Sequence, residues 1–414
     1  MAKGDTHPVP GAFPACVEHS VWTAPPFDPP AGADSPITLP AAARSGDSSS
    51  LVMHLIGCSG SFGDNSAQLR VAGALVADAS ASPPASLLLH LGDVVYVGQD
   101  KSDAQDVDQE SLYAAQFFEP YAAYPAPIYA IAGNHDGKLS DHKHLSAIHH
   151  FMRAFCGLAG GPATKPRSLT EPQPYLYFRL ETPHAQLVCL YANIANGGIL
   201  DDPHAPAAQP QLDWLTNQLR AAGAARAGGA RKAIILAVHY PPFSAAASFA
   251  ERGDPTLGPT MAAGAVPLGA VLRRAYDESG VRPDLVVSAH AHHYQRLTYR
   301  FADGFQLPHV IAGNGGHGPI EALGEACDGT LREHPAPPFP ATTVPGLQLP
   351  RGDSVELVAF NDRDHGFMRL TIADGAIEGE LIVVDKQGTR KGDSFAIDLA
   401  THAVPDRALR LDRS

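Results

Sequence analysis

One local pattern recurs often enough to restrict what this chain can fold into. A short apolar run, bounded by glycine or polar residues, is followed in four cases by side chains able to bind a metal or a proton. The runs span 51–57, 86–92, 127–133, 186–191, 233–239, 284–290 and 308–313. Each is short and largely apolar on both faces, which suits a strand buried inside a sheet. Amphipathic stretches at 66–77, 111–122, 211–222 and 266–277 lie between them and read as helices. Strand–helix alternation of this kind predicts an α/β sandwich. Near the C-terminus the pattern changes: runs 366–372 and 376–384 flank Asp374-Gly375 and predict an antiparallel hairpin.

Composition limits the partners. The 414 residues include 30 Lys and Arg against 43 Asp and Glu, a formal charge of −13 that argues against a grip on nucleic acid or anionic lipid. No run approaches the roughly 20 apolar residues that span a bilayer, and residues 1–16 carry no apolar signal core. The five cysteines (Cys16, Cys58, Cys156, Cys189, Cys327) are scattered, with Cys189 inside an apolar run. That is no disulfide framework, and a reducing cytoplasm is the expected setting. Residues 1–48 are rich in Pro, Ala and Ser and predict an extended surface arm, pinned by Trp22 and Phe27. Residues 49–400 then form one domain, with a Pro-rich inserted loop at 322–351, and 401–414 form a tail.

The chemistry stands at the ends of the runs. They lead into Gly92-Asp93-Val94-Val95-Tyr96, Gly133-Asn134-His135-Asp136, His239-Tyr240-Pro241-Pro242 and His290-Ala291-His292. Ligand crevices in open α/β sheets lie outside the carboxyl ends of the strands, so these motifs are expected to converge. Each has an ordinary reading: Gly-Asp is common turn chemistry, and a lone histidine is more often a core residue than a ligand. His-x-His, which puts two imidazoles on one side of an extended segment, is a stronger signal. Together the motifs supply carboxylate, amide, phenol and imidazole donors, a set suited to Zn, Fe or Mn.

In order and spacing, these motifs resemble the calcineurin-like metallophosphoesterases, and Tyr96 makes the purple acid phosphatases the nearest branch. Gln211-Leu212-Asp213-Trp214-Leu215, Gly313-Asn314-Gly315-Gly316-His317 and His365-Gly366-Phe367 extend the resemblance across roughly residues 50–395. It implies a two-sheet sandwich flanked by helices, and metal-assisted hydrolysis of a small phosphorylated substrate. By that resemblance Asp93 bridges two metal ions about 3.5–4 Å apart. Tyr96 and His292 complete one site, and Asn134, His239 and His290 the other. His135 binds the phosphate or protonates the leaving alkoxide. The implied ions are Fe with Zn, Mn or a second Fe; they neutralise phosphoryl oxygens and lower the pKa of a bound water.

One motif departs from the family. The first run ends in Cys58-Ser59-Gly60, where the family carries an Asp ligand. Three readings stand: Cys58 ligates as thiolate, Asp64 from the same loop substitutes, or the site is weak and holds one ion or none. The last would make the chain a non-catalytic relative that binds a phosphorylated ligand. A smaller departure is Ala289, where Gly usually precedes the first His, so that a methyl would crowd the metal. His142, His144, His149 and His150 read as solvated loop residues. His293 should point away from His292. Arg296 is open between phosphate binding and a structural ion pair. No Gly-x-Ser-x-Gly elbow or Walker-type loop is present.

Overall fold

The computed structural model describes residues 32, 34–40, 49–61, 63–96, 109–136, 147–156, 172–192, 208–229, 232–246, 268–324, 339–340 and 349–404. Cys16, Trp22, Phe27, His142, His144, Cys327 and most of the Pro-rich arm and inserted loop lie outside them. The first strands in chain order are β1 (Ile37–Thr38), β2 (Ser50–Ile56), β3 (Leu87–His90), β4 (Ile128–Ala130) and β5 (Phe178–Glu181). Next come β6 (Ala185–Cys189), β7 (Ala233–Ala237), β8 (Leu285–Ser288), β9 (Tyr294–Arg300) and β10 (Gln306–Ala312). The last are β11 (Phe339–Pro340), β12 (Ser354–Asn361), β13 (His365–Ala373), β14 (Ala376–Val384) and β15 (Thr389–Asp398). The helices are α1 (Ser66–Ala79), α2 (Gln109–Tyr113), α3 (Ala147–Phe155), α4 (Ala208–Ala227) and α5 (Leu268–Ser279). A π-helical turn, Ala114–Phe118, continues α2.

The strands form two sheets, ordered β1-β5-β6-β7-β8-β10-β9-β12-β11 and β15-β14-β13-β2-β3-β4. Period-2 alternation explains why they face each other. Along β2, Leu51, Met53 and Leu55 enter a core shared with Leu187, Ile235, Val287 and Val310 of the other sheet. Val52 and Ile56 face the opposite way, into a core with Val71 and Leu75 of α1. Sheet packs on sheet, with helices outside, as the sandwich expectation requires.

All seven predicted strands form, and each stops one to three residues short of the predicted end. Their last residues bend out of the ladder, and these are the ones that carry the chemistry. Strands β2, β3 and β4 are parallel, as are β6, β7, β8 and β10. Their carboxyl ends therefore share one rim. The terminal hairpin is present: β13 pairs with β14 from His365↔Val384 to Ala373↔Ala376, around Asp374-Gly375.

Several elements differ from the sequence expectation: His149 and His150, expected in a loop, lie on α3, where the apolar residues of 147–155 recur at helical spacing. β9, β12 and β15 are polar enough to hide their period, yet Gln295, Arg296 and Thr298 are buried. The arm is not wholly superficial: Ile37–Thr38 pairs in parallel with β5, and Leu39 is buried. Within the inserted loop, Phe339–Pro340 pairs with β12. Among the described residues, no helix is long and apolar enough to cross a membrane.

Candidate metal centre

Five strand ends meet at the rim: Cys58 after β2, Asp93 and Tyr96 after β3, Asn134 and His135 after β4, His239 after β7, and His290 and His292 after β8. Getting them there strains the backbone. Of four described non-glycine residues with positive φ, three are Cys58 (52°), Asp93 (54°) and His290 (65°). Such conformations cost about 1–3 kcal/mol each and persist only where the surroundings enforce them. Glycines leave the room required. A Cβ on Gly92 would stand 2.5 Å from His239 Nδ1, and one on Gly133 2.3 Å from Asp93 Oδ1.

Two donor clusters result, each with ligand atoms within 4.8 Å of one another: Cys58, Asp93 and His292, and Asp93, His239 and His290. Asp93 belongs to both. Its Oδ1 accepts the His135 N–H at 2.8 Å, and its Oδ2 accepts the Tyr96 O–H at 3.0 Å and lies 3.5 Å from His239 Nε2. Asn134 Oδ1 faces His239 Nε2 at 3.1 Å and His290 Nδ1 at 2.9 Å. Tyr96 Oη is 3.2 Å from His292 Nε2.

The donor set fits cations, and His239 shows why. Its Nδ1 lies 2.7 Å from the Leu91 carbonyl, which can only accept, so Nδ1 carries the hydrogen. Nε2 is then a lone pair aimed at two oxygens, Asn134 Oδ1 and Asp93 Oδ2, that are acceptors as well. Something positive has to stand there. Burial lowers the His239 pKa, but the charge and hydrogen bond of Asp93, together with the Leu91 carbonyl and the Asp136 charge, outweigh burial and raise it. Asp93 shows the converse. Burial pushes it up, yet His239 and His135 hold it well below the usual carboxylate range. At the other cluster, burial brings His292 down to about 4, which leaves its ring neutral and able to donate a lone pair. Burial and the Asp93 charge push the Cys58 thiol and the Tyr96 phenol up.

The surrounding side chains hold these groups in place. Asp136, buried, accepts N–H bonds from Val94 (3.1 Å), Val95 (3.3 Å) and Gly133 (2.9 Å), tying the Asp93 loop to the Asn134 loop. Burial and the neighbouring Asp93 bring its carboxyl up to about 7. The Gln116 side chain pairs with both backbone groups of Tyr96, at 2.9 and 2.8 Å. His317 stacks on the Tyr96 ring, 3.4 Å between centroids, and its Nδ1 donates to Gly60 O at 2.6 Å. Glu321 Oε1 lies 3.9 Å from His292 Nδ1. Asp136 and His317 stand within the motifs, but their local sequence assigns them no task. Gln116 and Glu321 carried no signal, since their partners are distant in the chain.

Other expectations resolve on geometry. Asp64 is exposed and turned to the start of α1, its Oδ1 accepting the Ser66 N–H at 2.9 Å, so it does not replace Cys58. The Ala289 methyl faces the bare Cα of Gly57, where a Cβ would come within 2.3 Å; it does not crowd the donors. His293 turns away, with Nδ1 on Glu321 O at 3.0 Å and Nε2 on Gln295 Nε2 at 2.7 Å. Arg296 is not a phosphate ligand: it is 2% exposed and paired with Asp393, 2.7 Å from Nε to Oδ2. That is the structural ion pair.

The profile of the calcineurin-like phosphoesterases matches residues 4–294. No curated protein matches the chain. Among solved structures, the chain is similar to GAP50, the anchor in the inner membrane complex of Plasmodium, at 12% identity and a TM-score of 0.48, covering 83% of this chain and 89% of that one. It is similar to PhoD at 14% identity and a TM-score of 0.48, covering 90% and 74%. The family performs metal-dependent phosphoester hydrolysis, and this chain, matched over more than half its length, belongs to the calcineurin-like phosphoesterases.

Proposed function

We propose that this protein is an active metallophosphoesterase that hydrolyses a small phosphate monoester or diester, in the manner of the purple acid phosphatases. The observation that carries the reading is Asp93, one buried carboxylate common to both donor clusters. Asn134, His239 and His290 would hold one cation with Asp93, and Tyr96, His292 and Cys58 the other. Bound there, the cations supply neutralisation of phosphoryl charge and a lowered pKa of water.

The chain's own residues supply position and a proton. The backbone N–H of His135 is fixed on Asp93 Oδ1 and its ring rests 4.3 Å from the Tyr96 ring, which holds the half-buried imidazole beside the donors. From there it would hydrogen-bond a phosphate oxygen or protonate the departing alkoxide. The Asp136 bonds to both loops keep Asp93 and Asn134 in register when a dianionic ester arrives.

Metal analysis of the purified protein, alongside hydrolysis of p-nitrophenyl phosphate and its bis-ester, tests the reading. Two ions per chain and release of nitrophenolate are expected. Asp93→Asn should lose more than the roughly 10–100-fold typical of outer-shell changes. His135→Ala should lose about 10²–10⁴-fold while keeping its metal. A protein that holds metal and hydrolyses neither ester would be the non-catalytic phosphate binder instead. A visible band abolished by Tyr96→Phe would identify ferric iron as one of the ions.

A further inference from the structure

The two clusters that share Asp93 are chemically unlike. Around Asn134, His239 and His290 every donor is oxygen or nitrogen. Around Tyr96 and His292 the third partner is sulfur. Cys58 has an ordinary explanation, as a small buried side chain in the core between the sheets. Two observations count against it. A packing residue gains nothing from a left-handed backbone, yet Cys58 sits at φ 52°, as do Asp93 and His290 at nearby values. The loop is also locked so as to keep Sγ facing the donors. Cys58 N–H donates to Gly92 O at 2.9 Å, and its carbonyl accepts the His317 N–H at 3.1 Å. Asp64, the only other candidate in that loop, is engaged at the start of α1.

Building on the metal-centre reading above, we infer that Cys58 is a thiolate ligand, and that it makes this half of the centre select borderline ions such as Zn(II) or Co(II) over Mg(II) and Mn(II). Carboxylate in the same place would favour the harder ions; sulfur reverses that preference. On binding, the S–H bond is replaced by a sulfur–metal bond and the proton leaves to solvent. The sharing of Asp93 then makes the centre asymmetric by ligand chemistry, with sulfur confined to the Tyr96 half.

Cobalt(II), added alone to the metal-stripped full-length protein, separates the possibilities by spectrum. Visible d–d bands report that the ion is bound at low coordination number; a near-ultraviolet sulfur-to-cobalt charge-transfer band reports thiolate. Wild type is expected to show both, and Cys58→Ser to keep the visible bands while losing the charge transfer. Visible bands without charge transfer in wild type, or charge transfer surviving in Cys58→Ser, would overturn the thiolate assignment and leave the metal centre standing. Failure of the protein to retain cobalt through gel filtration, read by elemental analysis, would remove the metal centre itself, and this inference with it. Cys58→Asp is the second variant, should serine fail to fold. It should lower the preference for Zn(II) over Mg(II) by ~10-fold or more, and an unchanged preference would count against the assignment.

Discussion

At the scale of single residues, the site depends as much on absent side chains as on present ones. Gly133 has no Cβ to collide with Asp93 Oδ1 at 2.3 Å or with His239 Cε1 at 2.8 Å. Gly133→Ala should therefore displace Asp93, the residue both clusters share. Metal content by elemental analysis is expected to fall below two ions per chain, with hydrolysis falling in parallel. Full occupancy in that variant would mean the loop relaxes at no cost. The sequence pointed to these glycines through their place ahead of Asp93 and Asn134, since a turn that lets backbone approach a bound group favours Gly. It gave no hint that Asp136, two residues past Asn134, holds both loops by their N–H groups, because that requires the Val94 and Val95 amides, some forty residues earlier, to be adjacent in space.

At the scale of elements, polar side chains finish what the ladders leave open. Gln116, Gln173 and Gln211 each pair with both backbone groups of a residue at a strand end: Tyr96, Ala130 and Tyr191. Each amide satisfies one backbone N–H and one C=O of that residue. The π-helical turn Ala114–Phe118 is where the 111–122 helix expectation met its limit, and it carries Gln116. A second device joins the sheets. Arg296 and Tyr294 on β9 both bond Asp393 on β15, at 2.7 Å each, and β9 and β15 belong to different sheets. Arg296→Met removes one partner and strands a buried carboxylate, which should cost about 3–5 kcal/mol in denaturant unfolding. Hydrolysis per folded molecule should stay at the wild-type level. A large activity loss without a stability loss would return Arg296 to the substrate.

At the scale of the whole molecule, the acid side of the stability curve follows from buried neutral histidines. His309 on β10 sits against Phe243, 5.1 Å between ring centroids, and among the described residues neither ring nitrogen has a hydrogen-bond partner. Burial brings its pKa down to about 3. Its unfolded value is near 6.5, so between pH 6.5 and 3 the unfolded chain binds the extra proton and stability falls with pH. One such group contributes up to about 1.4 kcal/mol per pH unit in that window. His309→Leu should flatten the decline between pH 6.5 and 4, read as denaturant midpoints across that range. Part of the slope will remain, because His90 is likewise brought down to about 3 by burial. Equal slopes in variant and wild type would show that His309 titrates normally.

Taken alone, the sequence determined the buried parallel strands, the terminal hairpin and the order of donor residues, because these are written in local periodicity and in motifs a few residues long. Cys58 stood out for the same reason, as a departure within a short motif. Tertiary structure decided the rest: that Asp93 faces both clusters, that Cys58 and not Asp64 sits among the donors, and that Arg296 is consumed by Asp393. Those outcomes turn on which side chains are neighbours after β3 and β8, or β9 and β15, have been brought together from opposite sheets. No window along the chain contains both partners, and only burial of the faces between the sheets fixes their distance.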